Sequence, residues 1–166
     1  MSDAFWSSPK VEPKRANKWV LYINEIPTWI VKKVGKPGYA VTEATHKYLN
    51  HTFYYPGRVE WQEIALTLVD PVDPDASEQM IKKLRTSGYI FPTNSEQTQT
   101  ISKVKAVEVL GSPRIVQIDP DGQIVEEWTL YNAWVKSVKF GELDYEQDNL
   151  TNIEITLRYD WANLTN

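Results

Sequence analysis

Cysteine is absent from the 166 residues. Its absence excludes disulfide frameworks, thiolate zinc sites, redox pairs and cysteine nucleophiles together. Histidine occurs only at His46 and His51. Five apart, the two are expected on opposite faces of a strand, a poor geometry for sharing a metal. The seven glycines are scattered, so no phosphate-cradling loop exists, and no Gly-x-Ser-x-Gly elbow is present to activate a serine. No apolar run approaches the roughly 20 residues that span a bilayer, and no membrane partner is expected. The N-terminus lacks a basic segment followed by an apolar stretch, so no signal peptide is expected. The sequons at Asn50, Asn149 and Asn163 are accordingly read as chance.

Aromatics are abundant instead: seven tryptophans and nine tyrosines in 19.2 kDa. At this density they fill cores, stack on sugars or line subunit interfaces. A hydrophobic share of 42% with 24% charged residues is an ordinary globular composition for a single domain. The charge is unevenly placed. Residues 1–118 carry a net of +3, whereas residues 119–166 carry −7 within the overall −4. A C-terminal third so acidic is unsuited to gripping nucleic acid, which requires phosphate neutralisation.

Residues 1–18 have two prolines, a basic cluster and no period, and are read as an N-terminal arm preceding a single domain over 19–166. Strand alternation starts at Trp19–Ile23 and resumes at Trp29–Val31. A long polar and aromatic hairpin is expected at about 40–57. Val59–Val69 reads as one strand, ended by the prolines of Asp70–Asp75. Asp75 with Glu78 suggests a capping box opening a helix over about 75–88, closed by Gly88, with Ala76, Met80, Ile81 and Leu84 on its buried stripe. Lys82, Lys83 and Arg85 fall where the helix dipole favours cations. Residues 92–102 read as a loop. Further strands are expected at Lys103–Leu110, Arg114–Asp119, Gln123–Leu130, Ala133–Phe140 and Thr151–Trp161, the last with Ile153, Ile155, Leu157 and Tyr159 on one face. Pro120-Asp121-Gly122 supplies a tight turn. The fold class is mainly β: two packed antiparallel sheets, a sandwich or half-barrel of about eight strands, with one flanking helix.

Candidate chemistry is thin. Asp70, Asp73 and Asp75 lack the glycine of a calcium loop and read as a turn with a helix cap. The acidic pairs Glu126/Glu127 and Asp144/Glu146 would suit a glycosidase only if held across a cleft, and solvated strand edges explain them more simply. No catalytic residue, metal or cofactor is expected.

Three stretches together carry a family resemblance. They are Gly57–Trp61 running into Ile64–Asp70; Arg114–Asp119, Pro120-Asp121-Gly122 and Gln123–Val125; and Leu130–Trp134, Gly141–Tyr145 and Ile153–Trp161. Over residues 57–161 the chain resembles the tail tube proteins of contractile-tailed bacteriophages, including baseplate tube initiators and the related injection-system tubes. It departs from the family's Gly-x-Trp-Pro segment, with Asn132 for the glycine and Val135 for the proline. The resemblance implies a structural protein of the virion tail, not an enzyme, assembled in the host cytoplasm. Self-association into stacked hexameric rings would make a tube bound by sheath and baseplate proteins, through which DNA passes without specific binding. It further implies that the hairpin and arm reach neighbouring subunits, making Trp6, Lys47, Tyr48, His51, Tyr54, Tyr55 and Gly57 the candidate assembly residues. Trp61, Leu66, Leu84, Trp134, Ile155 and Trp161 are the candidate core. A carbohydrate-binding β-sandwich is the alternative that the aromatics suggest.

Overall fold

Alternating apolar residues drive most of the architecture. In the computed structural model, which describes residues 6–166, they form ten strands. Strand β1 (Trp19–Tyr22) is followed by a short 3-10 turn, Thr28–Ile30, and β2 (Val31–Val34). Next come β3 (Tyr39–Tyr48), β4 (His51–Trp61) and β5 (Ile64–Val69). Two helices intervene, α1 (Ala76–Thr86) and α2 (Lys103–Leu110). The chain then completes β6 (Arg114–Ile118), β7 (Ile124–Tyr131), β8 (Trp134–Lys139), β9 (Asn152–Arg158) and β10 (Trp161–Thr165).

The strands make two four-stranded antiparallel sheets, ordered β1-β6-β7-β10 and β2-β5-β9-β8, while β3 and β4 pair only with each other. The register of β5 on β9 sets Ile64 opposite Leu157, Leu66 opposite Ile155 and Leu68 opposite Ile153, all buried. Leu21, Ile115, Leu130 and Ala162 face them from the other sheet. Burying one face of each sheet pins the register, since a one-residue slip would turn every one of these side chains outward.

Helix α1 begins as its cap dictates. Asp75 accepts hydrogen bonds from the Ser77 and Glu78 amides at 3.0 and 3.3 Å, and Asp70 accepts from the Ser77 hydroxyl at 2.6 Å. Ala76 and Met80 are buried on its inner stripe, and Leu84 is half-buried. Gly88 follows at φ +115°, where a side chain is strained.

Several expectations are corrected. Lys103–Leu110 is helix α2, not a strand. Ser102 caps it by accepting from the Lys105 amide at 3.3 Å, and Ala106 and Leu110, four apart, turn inward. Trp29 lies in the 3-10 turn and is 69% exposed. The Val59–Val69 run breaks at Gln62-Glu63 into β4 and β5. The final run likewise breaks at Tyr159-Asp160, so Trp161 opens β10 and is not core: it is 47% exposed, stacked on Tyr131 at 5.1 Å between ring centroids. Of the other candidate core residues, Leu66 and Ile155 are buried, while Trp61 and Trp134 are half-buried.

Candidate functional site

Pairing in the β3–β4 hairpin runs from Tyr39 opposite Trp61 to Tyr48 opposite His51. Every residue of β3 is exposed. At ~3.3 Å per residue, ten residues project about 33 Å. Its root is anchored where the Gln62 amide donates to the Gly38 carbonyl at 2.8 Å and where the Tyr39 ring meets Trp61 edge-on. Midway, the register shifts between Val41 and Glu43. Thr42 there accepts from the Arg58 amide at 2.8 Å, and a Cβ on Gly57 would run into the Thr42 side chain. Gly57 therefore makes room for the bulge that turns the outer half of the hairpin.

Beyond the bulge, the register assigns each side chain to a face. Ala44, His46 and Tyr48 pair with Tyr55, Phe53 and His51, so these six share one face. The two histidines therefore lie on the same side, against the expectation from their spacing. The hairpin turn at residues 49–50 adds the odd number of steps that reverses His51, and its ring packs edge-on against Phe53 at 4.8 Å. Lys47 and Tyr54 share the opposite face with Glu43, Thr45 and Thr52. Of the candidate assembly residues, the structure gathers Lys47, Tyr48, His51, Tyr54, Tyr55 and Gly57 on this one projection, all exposed. Trp6 lies apart from them, 70% exposed in the arm.

The expected arm falls partly outside the described residues, at 1–5. Its later residues lie against the first sheet. The Ile118 amide donates to the Lys18 carbonyl at 3.0 Å, and Gln117 Nε2 donates to the Arg15 carbonyl at 3.0 Å. Beside Gln117, directly across the β6–β7 ladder, stands Glu126. It shares the inward face of β7 with Trp128 and Leu130 and is 5% exposed. Oε2 accepts from Lys14 Nζ at 2.7 Å and from Lys36 Nζ at 3.0 Å, and Oε1 accepts from Trp128 Nε1 at 2.6 Å. Lys36 also donates to Gln117 Oε1 at 2.6 Å. Burial alone would raise the Glu126 pKa, but the hydrogen bonds from Lys14, Lys36 and Trp128 outweigh it and hold the carboxyl at about 2. An acid so strong is ionised at neutral pH and has no proton to give as a general acid. The expectation that Glu126/Glu127 is a solvated strand edge is corrected for Glu126, which is buried; the sequence does not group it with Lys14, Lys36 and Gln117. One signal was present: an acid in step with Trp128 and Leu130 on an inward strand face requires a cation.

Concave features flank α2. An open cleft lined by Trp61, Lys103, Trp134, Arg158 and Asp160 adjoins an apolar cavity of about 350 Å³ between α1, α2 and β8. Asp160 closes the corner of the cleft, accepting from Lys103 Nζ at 2.7 Å and Asn132 Nδ2 at 2.9 Å, and both bonds lower its pKa. Among the described residues, no group of three or more metal-ligating side chains converges. No helix among them is long and apolar enough to cross a membrane.

The fold as a whole, over more than nine-tenths of the chain, is shared with solved structures. One chain of the anti-feeding prophage baseplate matches at a TM-score of 0.66 and 15% identity, over 93% of this chain and 97% of that one. The chain has the contractile tail tube fold. A chain of the tube-terminating cap of the same prophage matches at a TM-score of 0.63 and 14% identity, over 93% and 92%. A chain of the sheath/tube terminator of an extracellular contractile injection system matches at 0.62 and 14% identity, over 95% and 99%. No protein-family model matches the chain, and no curated protein matches it by sequence.

Proposed function

We propose that this chain is a non-enzymatic structural subunit of a contractile tail, assembling with copies of itself into hexameric rings that stack as the inner tube. The hairpin carries the reading. A two-stranded ribbon has at best marginal stability alone in water. This one presents Tyr48, Phe53, Tyr54 and Tyr55 to solvent, more than 40% exposed each. Such a ribbon gains a covered face only by lying on a neighbour. A head-to-tail contact of that kind closes into a ring or propagates along an axis. The solved neighbours, drawn from a baseplate, a cap and a terminator, favour contacts with sheath or baseplate components and a location in the tail. A net charge of −7 over residues 119–166 suits a conduit for DNA ejection, because phosphate is repelled rather than held.

The test is negative-stain electron microscopy of the purified chain with light scattering on the same sample. Rings or tubes with a central hole, at six times 19.2 kDa per ring, are the expected result. A monomer that persists at high concentration and in the presence of preformed baseplate overturns the reading. The stack of exposed Trp161 on half-buried Tyr131 favours a second reading, a sugar-binding surface, for which a glycan panel read by tryptophan fluorescence is the direct check.

A further inference from the structure

Lys14 and Lys36 belong to the two parts of the chain that leave the sandwich. Lys14 lies in the arm, 112 residues from Glu126 in sequence. Lys36 lies 90 residues from it, in the connector between β2 and β3, three residues before the hairpin begins. Both ammonium groups bind the same oxygen, Oε2, while Oε1 is taken by the Trp128 indole. The lysines are about half exposed, at 53% and 47% of their side chains, and the carboxylate is 7% exposed. One buried negative charge thus faces two positive ones that repel each other across a single acceptor.

We propose that Glu126 is a shared anchor through which the arm and the hairpin root are antagonistically coupled: when the arm lifts Lys14 away, the carboxylate grips Lys36, and with it the hairpin root, more firmly. The physical reason is competition. Removing one cation ends the repulsion between the two ammonium groups and leaves the shared oxygen, Oε2, free to settle on the other. Gln117 touches both parts through separate atoms, its Nε2 donating to the Arg15 carbonyl of the arm and its Oε1 accepting from Lys36, so the competition is confined to Glu126 Oε2. By linkage the effect is reciprocal, so loosening the root tightens the arm. In a subunit that hands its arm to a neighbour, the hairpin is braced at the same moment. This use of the device rests on the assembly reading; the coupling itself is a property of the single chain.

Amide hydrogen exchange on the unassembled full-length chain tests it, whether or not rings ever form. In Lys14→Met, exchange in the arm at residues 11–18 rises, and exchange at residues 36–42 falls by about threefold or more. In Lys36→Met the pattern reverses. In Lys10→Met, which removes a cation of the same arm outside the cluster, the hairpin root does not change. In Glu126→Gln both segments exchange faster, and adding Lys14→Met no longer protects the root. Faster exchange at both segments in Lys14→Met, or no change at the root, overturns the proposal. The two lysine variants decide it by themselves if Glu126→Gln does not fold. Failure of the chain to form rings, by contrast, would count against the assembly reading and leave the exchange result standing.

Discussion

Lys83 donates to the main-chain carbonyl of Asn24 at 2.9 Å, from a side chain only 4% exposed. The same ammonium reaches the Val109 carbonyl at the end of α2 and the Glu25 carboxylate, both at 3.4 Å. One α1 lysine thereby ties together α2 and the loop after β1. Burial pulls its pKa down, against the raising effect of Glu25. The position that the helix dipole assigns to a solvated cation is in fact an internal one.

Lys83→Met should therefore cost more than a surface substitution. It leaves the Asn24 and Val109 carbonyls without this donor, and a loss of roughly 2–4 kcal/mol is expected. Urea unfolding followed by far-ultraviolet circular dichroism gives the number; a change below about 0.5 kcal/mol would show that water replaces the ammonium at no cost.

Glu126 predicts a specific acid window. Its folded pKa of about 2 lies below the ordinary 4.5, so the folded state binds its proton less readily than the unfolded chain does. The stability it contributes is full above pH 4.5 and is lost as the pH falls from there towards 2. With two half-exposed lysine partners, the contribution is on the order of 2 kcal/mol. Glu126→Gln should be less stable at pH 7, and its stability should fall less steeply than the wild type between pH 4.5 and 2. Parallel curves for the two proteins would contradict the assignment.

Gly57 is expected to govern the hairpin and little else. Gly57→Val places a branched side chain against Thr42 and its carbonyl at the bulge. The hairpin lies outside the two packed sheets, so the melting temperature should move by only about 2 °C while assembly falls sharply. Thermal melts and electron microscopy on the same preparation separate the two effects. A large drop in melting temperature would mean that the hairpin is part of the cooperative unit.

Gly88 ends α1 at φ +115°, with the Thr100 carbonyl 2.7 Å from where a Cβ would stand. Gly88→Ala combines that contact with an unfavourable backbone region, and a loss of about 1–3 kcal/mol is expected. Differential scanning calorimetry checks it, with Gly122→Ala as a comparison: that site also has positive φ, but nothing stands within 4 Å. Equal losses at both positions would assign the whole cost to the backbone.

Elements whose side chains alternate strictly were legible in advance. Ile153, Ile155, Leu157 and Tyr159 were placed on one face by period alone, and all four are buried. Asp75 announced α1 because a cap acts within three residues. Helix α2 was not legible. Val104, Val107 and Val109 favour a strand, and only Ser102 argued otherwise; contact of Ala106 and Leu110 with the body overrides the propensity. Trp161 was misplaced for a similar reason, since alternation carries straight through a corner that Asp160 makes by bonding Lys103 and Asn132.

The candidate site divides along the same line. Sequence alone determined that residues 40–57 are too polar and aromatic to be core, because composition is a local property and burial of unpaired polar groups is costly. Only the tertiary structure decided which face His46 and His51 share, since that depends on the turn at residues 49–50, which sets His51 opposite Tyr48. Glu126 depends on the fold in the same way. A carboxylate shows neither its burial nor its partners until Lys14 and Lys36, 112 and 90 residues away, are brought to one oxygen. Local patterns set what each segment can become; long-range contact sets which charges must meet, because only there does desolvation make the pairing obligatory.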